Sequence, residues 1–285
     1  MAKDPAILQI ELMFSGLNTA AAADSFPKPN SLADELIGVI DLKKEDYTEI
    51  VQQKTVKKFA TGAVEMWHRS VHSFLISSSL TKSSPLWSSV AGYYSSHYTM
   101  RGFAHLLGHF QLYRKKRIVQ LEINGSNYYC HISTKKGGER EHRLCWKLVK
   151  KYSAFANNPF FTINDDNLPE SDGAHRNKAN YQDHIGRFPK FQPLSEAYLK
   201  SRIGLISTME LSDAPIPNVE AYPDLDNVQL IAYHRLVRFR TFLDEILGGS
   251  NRFWNVNRKP DWCPSYLDFQ LVQPQFASLY KDIAR

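Results

Sequence analysis

The sequence predicts a mainly α-helical protein, in which a helical bundle carries an inserted β-hairpin and is followed by a C-terminal helical extension. Apolar residues recur at helical spacing over residues 54–80 and again over residues 88–110. Strand-like runs lie on either side of Asn124-Gly125, and the short apolar run at residues 6–14 fits either a strand or a buried helical turn. A chain of 285 residues with 43% hydrophobic side chains is large enough to bury a substantial core.

Three segments follow from this pattern. We expect residues 1–50 to form an N-terminal segment that packs on the bundle, and residues 51–212 to form the bundle itself, with the hairpin near 117–133. Residues 213–285 form the C-terminal extension, which a proline-rich linker separates from the bundle.

The first long helix, 54–80, has an apolar stripe at helical spacing that includes Phe59 and Trp67. The turn Ser83-Ser84-Pro85 follows it, because proline disfavours a helical conformation in the residue before it. The second helix, 88–110, contains no proline and has a buried face of its own. We predict that the rest of the chain is organised around this second helix.

The hairpin is predicted from residues 117–123 and 128–133, which flank Asn124-Gly125-Ser126-Asn127. Asn-Gly between two strand-like runs is a strong hairpin signal. Further helices are predicted at 139–155, 175–188, 194–211 and 226–247. The hairpin is therefore an insertion between helices, and such an insertion is a candidate contact arm.

Four polar residues of the second helix form a stripe, because they lie four apart: His97, Arg101, His105 and His109. An arginine can hold a phosphate while a histidine moves protons, so Arg101 and His105 are candidates for RNA cleavage through the 2′-hydroxyl without a metal. His105 and His109 also have the spacing of a zinc ligand pair, but HExxH and an obvious third ligand are missing, and we predict no metal site. The structural alternative is that the stripe pairs with carboxylates between packed helices.

A second cluster of arginine and histidine begins at Arg176 and extends to His184. The same phosphate chemistry makes these two residues catalytic candidates. Supporting roles are assigned to His97, Asn177, Asn180 and Tyr181. The structural alternative is a polar network between helices or at a helix terminus.

Positive charge is concentrated in one region of the chain. The whole chain has a formal net charge of +6, whereas residues 114–151 contain eleven Lys or Arg and three Asp or Glu, a net of 11 − 3 = +8. The candidate nucleic-acid contacts in this region are Arg114, Lys115, Lys116, Arg117, Lys135, Lys136, Arg140 and Arg143. Tyr128, Tyr129, His131 and Trp146 add stacking surfaces, a mixture that suits single-stranded or looped RNA. An acidic protein partner or a solvated charged face explains the same pattern.

Several classes of protein are disfavoured. The sequence contains no GxxxxGK[ST], GxGxxG or GxSxG pattern, its three cysteines are far apart, and we expect no cofactor. No run of eighteen apolar residues occurs, and Asp4, Pro5 and Glu11 interrupt the region where a signal peptide would be apolar. We therefore expect a cytoplasmic protein without a membrane segment.

Two short motifs resemble those of a known family. Residues 91–103, AGYYSSHYTMRGF, are similar to the second-helix signature of HEPN domains (higher eukaryotes and prokaryotes nucleotide-binding), and HRNKANY at 175–181 is similar to the family's R-x-x-A-(D/N)-Y segment. The resemblance implies an up-and-down bundle of about four helices, often dimeric, that binds RNA or nucleotides. Many members act in toxin–antitoxin, anti-phage or CRISPR-linked defence.

Catalytic members of the family use an R-x(4–6)-H motif. Here seven residues separate Arg176 from His184, and three separate Arg101 from His105. The leading expectation is a homodimeric, RNA- or nucleotide-engaging protein of a prokaryotic defence or toxin–antitoxin type system, which as an enzyme is a metal-independent endoribonuclease. The alternative is a non-catalytic scaffold that docks a partner protein, encoded in the same system, through its basic face.

Overall fold

The structure, a computed structural model, describes residues 45–81, 83–112, 117–134, 141–149 and 151. Outside these ranges it describes Leu8, Ile10, Arg176, Asn180 and residues 228, 229, 231–233, 235, 236, 239 and 240. The predictions for most of the N-terminal segment and for the helix at 194–211 lie outside the described residues.

Helices and strands alternate in short groups along the described chain. The elements are strand β1 (Tyr47–Val51), helix α1 (Gln53–Leu80), helix α2 (Pro85–Leu106), strands β2 (His109–Leu112), β3 (Arg117–Asn124) and β4 (Asn127–Thr134), and helix α3 (Glu141–Val149). The described residues between Val228 and Arg240 are helical, as are Arg176 and Asn180. The first predicted helix is confirmed to within one residue, since α1 begins at Gln53 and ends at Leu80.

The four strands form one antiparallel sheet in the order β1-β4-β3-β2. The prediction of a mainly α-helical, up-and-down bundle with only an inserted hairpin is therefore wrong, because the described residues combine long helices with a four-stranded sheet. β3 and β4 are the predicted hairpin, whereas β1 and β2 are additional strands at the two edges. β1 has five residues and β2 has four, so strand alternation does not stand out from the helical spacing beside them.

The hairpin between β3 and β4 is confirmed. Asn124 pairs with Asn127 across a two-residue turn of Gly125 and Ser126. Gly125 has a φ of 60°, and a positive φ at the first central residue is what a type I′ or II′ hairpin turn needs. The Asn-Gly signal in the sequence therefore predicts the position of this turn correctly.

Helix α2 ends because Gly108 turns the chain into β2. Gly108 has a φ of 77°, and its N–H donates to the carbonyl of His105 at 2.9 Å. A left-handed glycine after the last helical turn is a common helix C-cap. The predicted stripe of His97, Arg101, His105 and His109 is consequently wrong at its last member, because His109 is the first residue of β2.

One face of the sheet is buried. It is formed by Val51, Val119, Leu121, Cys130 and Ile132. On β2, Phe110 belongs to the same face because it pairs with Val119. Its ring packs edge-on against the ring of Phe59 of α1, with 6.3 Å between the ring centroids. Buried and exposed residues alternate along β3, as in an antiparallel strand with one face against a core.

The chain divides into two compact units. The first unit comprises Met1–Met66, Met100–Ala156 and Asp244–Asn257, and thus the whole sheet. The second unit comprises Trp67–Thr99, Asn157–Leu243 and Arg258–Arg285. The boundaries fall inside α1 and inside α2.

In the second unit, buried polar groups join α1 to α2. The Ser77 hydroxyl donates to the Ser88 carbonyl at 2.6 Å, and the Ser88 hydroxyl donates to the Ser77 carbonyl at 2.9 Å. The side-chain amide of Gln229 donates to the Ser77 carbonyl at 2.8 Å and to the Ser88 hydroxyl at 2.7 Å. All three side chains are buried, so the protein itself replaces the hydrogen bonds that water would supply. We call Ser77, Ser88 and Gln229 the buried network.

Candidate functional site

On β1, β4 and β3, the second face of the sheet presents accessible polar, aromatic and apolar groups together; on β2 this face is covered, because His109, which pairs with Gln120, is buried. Residues that pair directly across antiparallel strands share a face, so the register assigns its members. We call these residues the open face. They are two sets that pair directly across β1, β4 and β3: Thr48, His131 and Gln120 in one set, and Ile50, Tyr129 and Glu122 in the other. Ile50 is 78% exposed, so apolar surface lies beside the polar groups.

Three side chains of the open face are joined by hydrogen bonds across three strands. The Thr48 hydroxyl lies 2.9 Å from Nδ1 of His131, and Nε2 of His131 lies 2.6 Å from Oε2 of Glu122. An ionised carboxylate only accepts, so in the neutral ring Nε2 donates to Glu122 and Nδ1 accepts from the Thr48 hydroxyl. The side chains of His131 and Glu122 are 41% and 51% exposed, and a ligand can therefore reach them. We call Thr48, His131 and Glu122 the polar row.

Two strongly basic segments of the sequence join the sheet at the same end. Arg117 pairs with Leu112 on one side and with Thr134 on the other, so these three residues lie side by side. Residues 113–116, YRKK, connect the first pair, and residues 135–140, KKGGER, follow Thr134. Their formal charges are +3 and 3 − 1 = +2. We call the end of the sheet marked by Leu112, Arg117 and Thr134 the basic end.

Most predicted nucleic-acid contacts belong to these two segments and lie outside the described residues: Arg114, Lys115, Lys116, Lys135, Lys136 and Arg140. Arg143 lies on α3 and is partly exposed.

Arg117 is only 6% exposed, and its guanidinium donates to the Glu45 carbonyl at 2.9 Å and to the Thr134 hydroxyl. Arg117 therefore stabilises the basic end from inside. The exposed carboxylates of Glu45 and Asp46 lie at the same end, where Asp46 accepts from the N–H of Thr134 at 2.8 Å.

His105 and His109, the two histidines that follow Arg101 in the predicted stripe, are buried. His105 is 4% exposed, and its ring lies 5.4 Å from the ring of Phe110 between centroids. Burial of His109, together with the positive charge of Lys151, lowers the pKa of its imidazole to about 4. Arg101 is partly exposed. This environment favours a packing role for both histidines over contact with a substrate.

Arg176 belongs to the second unit, whereas Arg101 and His105 belong to the first. Its guanidinium lies over the ring of Tyr93, 5.3 Å from the centroid, in a cation–π contact. Tyr93 is also stacked with His97, with 6.1 Å between ring centroids and an interplanar angle of 10°. All three side chains are buried. Among the remaining predicted residues, Asn180 is exposed, and Asn177, Tyr181 and His184 lie outside the described residues.

The open face contains candidates that the sequence prediction omits. The prediction includes Tyr129 and His131 as stacking surfaces but not Thr48 or Glu122. A further predicted stacking residue, Trp146, is buried on α3. For Glu122 a signal exists, because the run RIVQLEI at 117–123 alternates between apolar and polar residues and so places Glu122 on the exposed side. For Thr48 the signal is missing, since the chain brings it to His131 across 83 residues.

Comparisons with known proteins give no match: no family model, no curated protein and no solved structure matches this chain. Within the part of the chain that the structure describes, no helix is long and apolar enough to cross a membrane. The same residues contain no group of three or more His, Cys, Asp or Glu arranged to hold a metal ion. The resemblance to HEPN domains stays a prediction.

Proposed function

We propose that the protein binds single-stranded RNA, with bases against the open face and phosphates near the basic end. One observation supports this proposal most. The register of Leu112, Arg117 and Thr134 attaches segments of charge +3 and +2 to one end of a sheet whose accessible face carries Tyr129 and His131. Cations beside a surface that presents stacking groups are what an unpaired polynucleotide needs.

Positive charge at the basic end supplies affinity for a polyanion of any sequence. The two attached segments contain six Lys or Arg, against Glu139, Glu45 and Asp46, a net of 6 − 3 = +3. Lysine and arginine that neutralise phosphates release counterions, so binding weakens steeply as salt rises. Salt dependence is therefore the signature that separates this proposal from an uncharged interface.

The open face suits unstacked bases better than a duplex. Every base has a π face that stacks on an aromatic side chain, and Tyr129 lies between Ile50 and Glu122 in the register of the sheet. An A-form duplex exposes its phosphates and 2′-hydroxyls rather than the faces of its bases. We therefore expect single strands to bind more tightly than duplexes of the same length.

The resemblance to HEPN domains extends the proposal to a defence or toxin–antitoxin setting and to metal-independent cleavage. Cleavage requires a proton-transferring group that reaches the RNA backbone. His105 is buried against Phe110, and Arg176 is buried over Tyr93, which argues against direct contact of either with a substrate. Binding is the function that the described residues support best, and cleavage is one outcome of the test.

The test is fluorescence anisotropy of a labelled single-stranded RNA in EDTA, with the salt dependence of the binding constant as the readout. The triple variant Arg114→Gln, Lys115→Gln and Lys116→Gln removes three positive charges next to the basic end. Each phosphate contact on a single strand contributes roughly 0.7 to the slope of log K against log salt, so we expect the slope to become shallower by about 2.

A matched control removes three positive charges at the other end of the sheet. Lys54, Lys57 and Lys58 lie at the start of α1, directly after β1 ends at Val51, and their replacement by glutamine should leave the slope unchanged. Equal effects of the two triple variants would contradict the proposed location of the phosphates. RNA cleavage that Arg176→Ala abolishes, with folding checked by circular dichroism, would add ribonuclease activity to the proposal. If the chain neither cleaves the RNA nor binds it in a salt-sensitive way, RNA binding is contradicted and a protein partner is favoured.

A further inference from the structure

The polar row holds one oxygen of Glu122 and leaves the rest of the carboxylate available to a ligand. Oε2 accepts from Nε2 of His131 at 2.6 Å, and an ionised carboxylate offers about four acceptor positions. His131 is held in turn through Nδ1, which lies 2.9 Å from the Thr48 hydroxyl. These two hydrogen bonds of the imidazole restrict the rotation of the Glu122 side chain.

A carboxylate on a surface that binds RNA is unfavourable unless it contacts the RNA through hydrogen bonds, because its negative charge repels phosphates. Glu122 lies five positions along β3 from Arg117, roughly 17 Å from the basic end at the rise of an extended strand. At this distance from the cations, the carboxylate is placed to meet a base rather than the phosphates that the basic end attracts. A base edge that presents N–H donors would turn the repulsive group into an acceptor.

Guanine is the RNA base whose Watson–Crick edge presents two adjacent N–H donors, N1–H and the N2 amino group. A carboxylate can accept both in parallel, as it does from the paired N–H groups of an arginine. Cytosine and adenine offer an amino group beside a ring nitrogen acceptor, and uracil offers an N–H between two carbonyls, so each also brings an acceptor against the carboxylate. We propose that Glu122 accepts from N1–H and N2–H of a guanine in single-stranded RNA, an inference that rests on the RNA binding proposed above.

Tyr129 supplies the stacking surface beside this carboxylate. It pairs directly with Glu122 across β3 and β4, and directly opposed residues on one face have Cβ atoms about 5 Å apart. A base that stacks on Tyr129 therefore has its edge within reach of Glu122. Ile50, on the other side of Tyr129, extends the apolar surface and is 78% exposed.

The polar row has the chemical composition of a hydrolase triad, with a hydroxyl, an imidazole and a carboxylate. Such triads act in sites that exclude water, where charge stabilisation is strong. His131 and Glu122 are 41% and 51% exposed, so water surrounds this row. Recognition of a base edge needs only an oriented acceptor that a ligand can reach, and this is what the open face provides.

The experiment compares short, mostly uridine RNAs that carry guanosine, inosine or uridine at one central position. Inosine keeps N1–H but lacks the N2 amino group, so it removes one of the two proposed hydrogen bonds. For the wild-type chain we expect the dissociation constant to rise about tenfold or more from guanosine to uridine, with inosine between them. Glu122→Gln presents an N–H₂ group in place of one acceptor oxygen, so the dissociation constants for the guanosine and uridine RNAs should become equal.

Glu49→Gln is the matched control. Glu49 pairs with buried Cys130 and so lies on the opposite face of the sheet, while its replacement changes the net charge by the same amount. The guanosine preference should survive in this variant, and its loss would overturn the assignment to Glu122. Salt-sensitive binding of the three RNAs with equal affinity would overturn guanine recognition and leave RNA binding intact. No binding of any of them would overturn the RNA-binding proposal, and guanine recognition with it.

Discussion

The polar row and the buried network are built from similar side chains and differ in where they lie. The polar row joins a hydroxyl, an imidazole and a carboxylate on the open face, where solvent reaches them. The buried network joins two hydroxyls and an amide inside the second unit. A hydrogen bond at the surface replaces one that water would make, whereas the loss of a buried partner leaves a polar group unsatisfied.

This difference separates stability from recognition. Groups of the buried network are already satisfied within the protein, and a change there alters the free energy of unfolding. Groups of the polar row can exchange water for a ligand, so a change there should alter binding and leave folding almost unaffected. The location of a polar side chain therefore indicates its role better than its chemical type does.

The largest effect on stability is expected from two buried imidazoles, one in each unit. Burial, with a further contribution from Arg240, lowers the pKa of His68 to about 4, and the pKa of His109 is lowered to a similar value. An unfolded histidine has a pKa of about 6.5, so between pH 6.5 and 4 the unfolded chain binds protons that the folded chain does not. The free energy of unfolding should be fully retained above this window and fall within it by roughly 2 to 3 kcal/mol for each histidine.

Urea unfolding followed by circular dichroism between pH 7 and pH 5 measures this fall before most carboxylates are protonated. Gln120→Leu on the open face removes no titratable group, so it is the control variant, and it should show the same pH dependence as the wild-type chain. A stability that stays constant as the pH falls from 7 to 5 would contradict the burial of both imidazoles.

A smaller effect is expected from the buried network. Gln229→Leu keeps the side-chain volume similar but removes the donor to the Ser77 carbonyl and the Ser88 hydroxyl, and should lower the free energy of unfolding by about 2 kcal/mol. Gln120→Leu makes the same chemical change on the open face and should stay within about 0.5 kcal/mol of the wild type. Equal losses of the free energy of unfolding in the two variants, measured by urea unfolding, would contradict the difference between the buried network and the open face.

The smallest effect on stability is expected within the polar row. Thr48→Val keeps a β-branched side chain on an exposed strand and removes its hydrogen bond to His131, so the free energy of unfolding should change by less than about 0.5 kcal/mol. The same variant frees one side of the imidazole and should weaken the preference for guanosine. Surface substitutions usually change the free energy of unfolding by about 0.5 kcal/mol or less, so a loss of more than about 1 kcal/mol would show that the polar row stabilises the fold.

Local features of this fold can be predicted from the sequence, whereas long-range pairing cannot. Helix α1 and the Asn-Gly hairpin depend on contacts between residues close in the chain, and both predictions are confirmed. β1 joins the sheet only by pairing with β4, and the partner of Thr48 lies 83 residues away. The sequence around Thr48 does not identify a partner so far along the chain, and the prediction of a mainly α-helical bundle is wrong for this reason.

The same limit applies to the site. The four-residue spacing predicts a helical stripe through His109, but the positive φ of Gly108 ends α2 and places His109 on β2. The polar row takes one side chain from each of three strands, so no spacing along the chain can reveal it. The concentration of basic residues was visible in the sequence, and only the strand register shows that two basic segments attach at one end of the sheet.

The central claim is that the open face binds RNA, while the buried arginine and histidine side chains stabilise the fold. The most direct test is photo-crosslinking of the wild-type chain to single-stranded RNA that contains 4-thiouridine, followed by mass spectrometry of the crosslinked peptides. We expect crosslinks in peptides from β3 and β4, with Tyr129 among the modified residues. Crosslinks confined to the α2 peptide with Arg101 and His105, or to the peptide with Arg176, would contradict the claim.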